Sequence, residues 1–271
     1  MSERFFSAQP SDFPLRASLF WMDGKRVRST WDYLARDKKH LVNKLVQKQT
    51  EYRSNCMTFL LFNMVDPNES PVNPFVGCPT AKQVMAGRNQ VDWPEVERWR
   101  GLVDVGRVPG IYLIPCLFCG DDRGTTRNEA FHDYFLPAAV QFFRPYSRAF
   151  IISIEASKSM DVALQTRMIR RVKAAMPFDP CPVGVHNQGV RISPEADFLA
   201  YEFSWHPGDG DRQSVQAVVD EARRVMTQYP KWVWFQEMNL NPEGGRARAQ
   251  ARALRDMASR DPRIVGLPGP C

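Results

Sequence analysis

Short apolar runs, each ending in polar residues and followed by a stretch of helical periodicity, recur from one end of this chain to the other. The runs read as strands at Leu15 to Trp21, Cys56 to Phe62, Ile111 to Phe118, Ala149 to Ile154, Cys181 to Val185, Phe198 to Phe203, Lys231 to Glu237 and Arg263 to Gly266. Continuous apolar content, rather than strict alternation, is the pattern of strands buried on both faces of a parallel sheet. Between them lie amphipathic stretches. Thr30 to Tyr52 carries Leu34, Leu41, Leu45 and Val46 at helical spacing. Asp92-Trp93-Pro94 opens a helix running toward Val105, with Pro at its first helical position. Asn128 to Tyr146 is helical in pattern despite Pro137, and Ser159 or Asp161 begins a helix that ends before Pro177. Asp211 to Tyr229 and Glu243 to Ser259 complete the set.

Eight strands alternating with helices, with no break in composition, predict a single α/β domain over residues 1–271, a (β/α)8 TIM barrel. A doubly wound open sheet shows the same alternation. Eight units, with polar groups at nearly every strand end, favour the barrel. Two irregularities are expected. Residues 66–91, after the second strand, form a long loop of the sort that belongs to a binding surface. The fifth unit is shortened, because GVRISPEAD has room for one helical turn at most. Residues 1–14 are a polar lead.

The site of such a barrel forms at the C-terminal ends of its strands. Those ends here supply Asn63, Asp121, Glu155, His186, Asn187, Glu202, Trp205, His206, Gln236, Glu237 and Asn239. The set is rich in carboxylates, amides and aromatics, and no G-x-S-x-G nucleophile elbow accompanies it. Two runs end on an acid in the same way: AFIISIEAS on Glu155 and KWVWFQEMN on Glu237. Two facing carboxylates suit glycosidic cleavage, in which one protonates the departing oxygen while the other attacks the anomeric carbon or activates water. Glu202, inside YEFSW, is the substitute if either acid fails, and Lys158 is placed to pair with Glu155 as a plain salt bridge.

Glu155 at the end of the fourth strand and Glu237 at the end of the seventh resemble the acid/base and nucleophile of the retaining (β/α)8-barrel glycoside hydrolases of the clan A type. The resemblance implies a glycosidase acting on a polysaccharide or oligosaccharide by double displacement. It also implies a cleft lined by Asn63, Asp121, His186, Asn187, Glu202, Trp205, His206, Gln236 and Asn239. Two positions depart from the pattern: Ile154 stands where the clan has Asn, and GLPGPC offers no aromatic after the last strand.

Composition and charge narrow the partners. Hydrophobic residues make up 44% of the chain, enough for a sizeable core and against disorder. The net charge of +6 comes mainly from Arg on the helices, which reads as a solvated face compatible with an anionic glycan. No cofactor or metal is expected: four His are too few for a multi-His centre. Cys116 and Cys119, three apart on one strand, point to opposite faces and make poor paired ligands. No apolar run approaches a membrane span, and residues 1–15 lack the apolar segment of a signal peptide, so cytoplasmic synthesis is expected. Two other readings stay open. Gly244-Gly245 at a helix start, followed by Arg246 and Arg248, would suit a phosphorylated ligand or a nucleic-acid backbone. A barrel that binds glycan without cleaving it is the other.

Overall fold

The computed structural model describes residues 15–19, 46, 56–60, 112–120, 127, 129–203, 213–237 and 245–267. Within them lie strands β1 (Leu15–Leu19), β2 (Cys56–Leu60), β3 (Tyr112–Cys119), β4 (Phe150–Ile154), β5 (Val183–Asn187), β6 (Phe198–Glu202), β7 (Trp232–Glu237) and β8 (Ile264–Leu267). All eight pair in parallel and in chain order, and β1 returns to β8 to close the barrel. Four α-helices stand among the described residues: α1 (Glu129–Phe143), α2 (Val162–Ala174), α3 (Val215–Gln228) and α4 (Gly245–Ala258). Pro137 is inside α1. Asp161 caps α2 by accepting the Leu164 N–H at 2.7 Å, and Ser214 caps α3 by accepting that of Ala217 at 3.0 Å.

The shortened fifth unit is present as expected: residues 188–197 carry turns and no helix. The end of β5 differs from the sequence reading. His186 and Asn187 belong to the strand rather than to its exit, because they pair with Ala200 and Tyr201 of β6. The lead at 1–14, the loop at 66–91 and the helix toward Val105 fall outside the described residues, as does the helix at 30–52 apart from Val46, which is helical and exposed.

Two apolar layers hold the assembly. Outside the barrel, Leu113, Ile152, Val185, Leu199, Val233 and Phe235 pack against helix residues that include Phe135, Met168, Val172, Val218, Val225 and Leu254. Inside it, Cys56, Ile114, Cys116, Ile151, Phe198, Ala200, Trp234 and Val265 form a separate cluster. Cys116 is thus a buried free thiol in the barrel interior, and no group of three or more His, Cys, Asp or Glu among the described residues is placed to hold a metal.

Phe198 and Trp234 are too large for the interior unless their neighbours give way. Gly184 and Gly266 are those neighbours. A Cβ on Gly184 would sit 2.4 Å from the Phe198 ring, and one on Gly266 would sit 2.2 Å from the Trp234 indole. The indole Nε1 also donates to the Leu267 carbonyl at 3.3 Å, which ties β7 to β8. Trp234 is therefore core packing and no sugar platform. Gly266→Ala is expected to lower stability by about 1–3 kcal/mol through overpacking. Urea denaturation measures it, and an unchanged midpoint would contradict this packing.

Candidate active site at the barrel mouth

Glu155 follows β4 directly and turns the chain with φ 46° and ψ 46°, the left-handed conformation that a side chain disfavours. Such a residue costs about 1–3 kcal/mol and persists only where its surroundings over-determine it. They do so here from three sides. Its N–H donates to Nδ1 of His186 on β5 at 3.0 Å. Its carbonyl accepts the Lys158 N–H at 3.0 Å, closing the short 3-10 turn Ala156–Lys158. On the β3 side, Gly120 donates its N–H to the Ile154 carbonyl at 2.7 Å and lies so close that a Cβ would fall 2.1 Å from the Glu155 oxygen. Asn187 completes the clamp, with Oδ1 accepting the Ser157 N–H at 3.2 Å and Nδ2 donating to the Gly189 carbonyl at 3.0 Å.

The Glu155 side chain is 19% exposed, and its Oε2 accepts from Lys158 Nζ at 2.6 Å. The plain salt bridge anticipated from sequence is therefore formed.

His186 is fully buried, and burial pushes its pKa down to about 3, with the Lys158 charge adding to the effect. Since Nδ1 accepts a backbone N–H, the ring is neutral and carries its proton on Nε2. The 4.0 Å approach of Glu202 Oε2 to Nδ1 is accordingly a contact with a neutral ring rather than an ion pair. Glu202 is buried on the barrel side of β6, below the rim, with Oε1 accepting from Gln188 Nε2 at 2.9 Å. Gln236 of β7 is 1% exposed, and neither end of its amide has a hydrogen-bond partner among the described residues.

The fold thus gathers Glu155, His186, Asn187, Glu202 and Gln236 on β4 to β7. Glu237 ends β7 with its backbone registered against Glu202, and a one-residue shift between Tyr201 and Glu202 marks a β-bulge there. Bulges re-aim the residues around them and are over-represented beside active sites. Asn63, Asp121, Trp205, His206 and Asn239 lie outside the described residues, as does Gly244. Arg246 and Arg248 are exposed at the start of α4.

Sequence reasoning missed two features. The first is the work of Gly120 and His186 as backbone supports, which only tertiary proximity reveals. The second is a groove of about 410 Å³ beside the Glu155 turn, bounded by Lys158, Ser159 and Asp161 with Arg127, Glu129 and Arg167. In the sequence Ser159 and Asp161 read as a helix start and Lys158 as a partner for Glu155, and nothing in the pattern shows that they bound a groove.

Comparison with solved structures sets this barrel among known ones. An endo-1,4-β-mannanase from Rhizomucor miehei superimposes with a TM-score of 0.61 at 14% identity, over 91% of this chain and 87% of that one. A GH113 β-1,4-mannanase gives 0.54 at 12% identity, over 95% and 87%. A Bacteroides vulgatus protein assigned to the glycoside hydrolases gives 0.59 at 14% identity over 90% of this chain, which spans only 50% of that one. The fold is that of the barrel glycoside hydrolases. At such identity the likeness establishes the fold. No family model and no curated protein sequence matches the chain.

His186 makes a pH prediction. Its folded pKa lies below its ordinary value, so between about pH 6.5 and about pH 3 the unfolded chain binds a proton that the folded chain refuses. Stability therefore falls on acidification through that window, by up to about 1.4 kcal/mol per pH unit from this group. His186→Asn keeps an acceptor for the Glu155 N–H and removes the titration. Denaturation across the window should show a shallower loss in the variant; an identical slope would contradict the buried neutral ring.

Proposed function

We propose that the protein is a glycoside hydrolase acting on a polysaccharide or oligosaccharide by the retaining double displacement, with Glu155 as acid/base and Glu237 as nucleophile. The observation that carries the reading is the placement of Glu155. A carboxylate held in an over-determined left-handed turn sits at the β4 exit of a barrel with a glycoside-hydrolase fold. Glu237 takes the corresponding place at the β7 exit.

In the first step Glu237 attacks the anomeric carbon as the glycosidic bond breaks, and Glu155 gives its proton to the departing oxygen. Lys158 occupies Oε2, which leaves Oε1 open toward the departing oxygen. In the second step Glu155 takes a proton from water, and the water displaces Glu237 from the sugar. Glu202 and Gln236 sit lower in the mouth, where a buried carboxylate and amide can fix sugar hydroxyls. His186 and Asn187 hold the turn that carries the acid. Asn63, Asp121, Trp205, His206 and Asn239 complete the proposed cleft. The mannanase neighbours make β-1,4-mannan the first substrate to try.

One observation supports a second reading, a barrel that binds glycan without cleaving it: the Lys158 ammonium on Glu155 is also what a purely structural carboxylate would have. Reducing-end release from mannan and other β-glycans separates the two. Glu155→Gln should lower kcat by about 10²–10⁴-fold, the usual contribution of a general acid-base group. Glu237→Gln should abolish turnover, with both variants folded by circular dichroism. Near-normal turnover in either variant would overturn the assignment. Glycan binding without product release would favour the second reading.

A further inference from the structure

The groove beside the Glu155 turn is built from one end of α1, the start of α2 and the turn Ala156–Lys158. Its charges are not balanced in kind. Glu129 is shared by Arg167 at 2.8 Å and Arg171 at 3.1 Å, so its charge is doubly met. Asp161 turns Oδ1 inward to cap α2 through the Leu164 N–H. Arg127 differs from both. Its Nε donates to the Ser159 carbonyl at 3.0 Å, which orients the guanidinium, and no carboxylate lies within 4.0 Å of it among the described residues. A guanidinium presents its donors as a fixed fork that matches carboxylate and sulfate oxygens.

A second observation points the same way. Ser159 on the groove wall is 3% exposed, and its Oγ has no hydrogen-bond partner among the described residues. A buried hydroxyl without a partner is costly, and a small shift of the wall that uncovers Oγ would let it donate to a bound oxyanion. Lys158 belongs both to this groove and to Glu155, so whatever binds here lies one side chain from the proposed acid.

We propose that this groove is an anion subsite, in which Arg127 and Lys158 receive a negatively charged substituent, a carboxylate or a sulfate ester, on a sugar chain lying across the barrel mouth. The inference rests on the glycan-cleaving reading for the identity of the chain. An anion between Arg127 and Lys158 competes with Glu155 for the ammonium, so an acidic substrate loosens the pair that holds Oε2.

Calorimetry tests the subsite without turnover. The full chain is titrated with mannohexaose, with the β-1,4-mannuronate hexamer, which differs by its carboxylates, and with 6-O-sulfated mannohexaose. At least one acidic hexamer should bind on the order of tenfold more tightly than the neutral one at low salt, and high salt should erase the advantage. The two acidic arms distinguish a carboxylate from a sulfate site. Arg127→Ala should bring the acidic ligand to within a few-fold of the neutral one, while Arg127→Lys keeps part of the preference. Equal binding of all three hexamers, no binding of either acidic one, or an undiminished preference in Arg127→Ala would overturn the proposal. Cleavage of neutral mannan by the wild type tests the enzyme reading separately. Failure of cleavage in the wild type would instead count against that reading alone.

Discussion

The backbone N–H of Glu155 meets Nδ1 of a buried neutral imidazole, and most of what this barrel mouth can do depends on that hydrogen bond. It fixes a left-handed residue at the point where β4 gives way to its loop. The bond requires a neutral ring, burial keeps the ring neutral, and burial follows from the place of His186 on the inner face of β5. Gly120 closes the other side by having no side chain where the Glu155 carbonyl must lie. Neighbouring strands therefore converge on one peptide unit, and a parallel barrel supplies them in chain order.

The same logic of making room runs deeper in the barrel. Phe198 and Trp234 fill the interior because Gly184 and Gly266 leave them space, an alternation of large and small around the ring. Above this dry layer the interior turns polar at His186, Glu202 and Gln236. The change from aromatic to polar side chains along the axis is what makes one end of the barrel a mouth. Outside it, the Arg residues of α2 and α3 are engaged with acids on the same or neighbouring elements, as in Arg171 with Asp133 and Arg224 with Glu221. Among the described residues Arg127 forms no such ion pair, and neither do Arg248, Arg252 and Arg255 on α4, so unpaired positive charge lies on these residues.

Much of this was legible in the sequence. Apolar runs of strand length gave the eight strands to within a few residues, and the missing crossover helix was visible as a nine-residue segment containing Ser193-Pro194. Glu155, Glu202 and Gln236 were readable as strand-end residues because a parallel strand that stops at a polar group advertises its C-terminal end. The extent of β5 was not, since pairing with Ala200 and Tyr201 extends it beyond what its own composition suggests. Nor could the sequence disclose that Asn187 and His186 serve the backbone of another strand, or that Arg127 faces the wall formed by Ser159. Those facts exist only between elements far apart in the chain.

The distance between the Glu155 and Glu237 carboxyl groups is the most direct measure of whether this mouth is a retaining glycosidase site. A crystal structure with an uncleaved sugar across the mouth should place the two carboxyls about 5 Å apart, one on each side of the scissile bond. A separation of roughly 6.5–9.5 Å would replace retention by inversion. A Glu237 carboxyl turned into the helix layer, out of reach of the sugar, would contradict the account altogether.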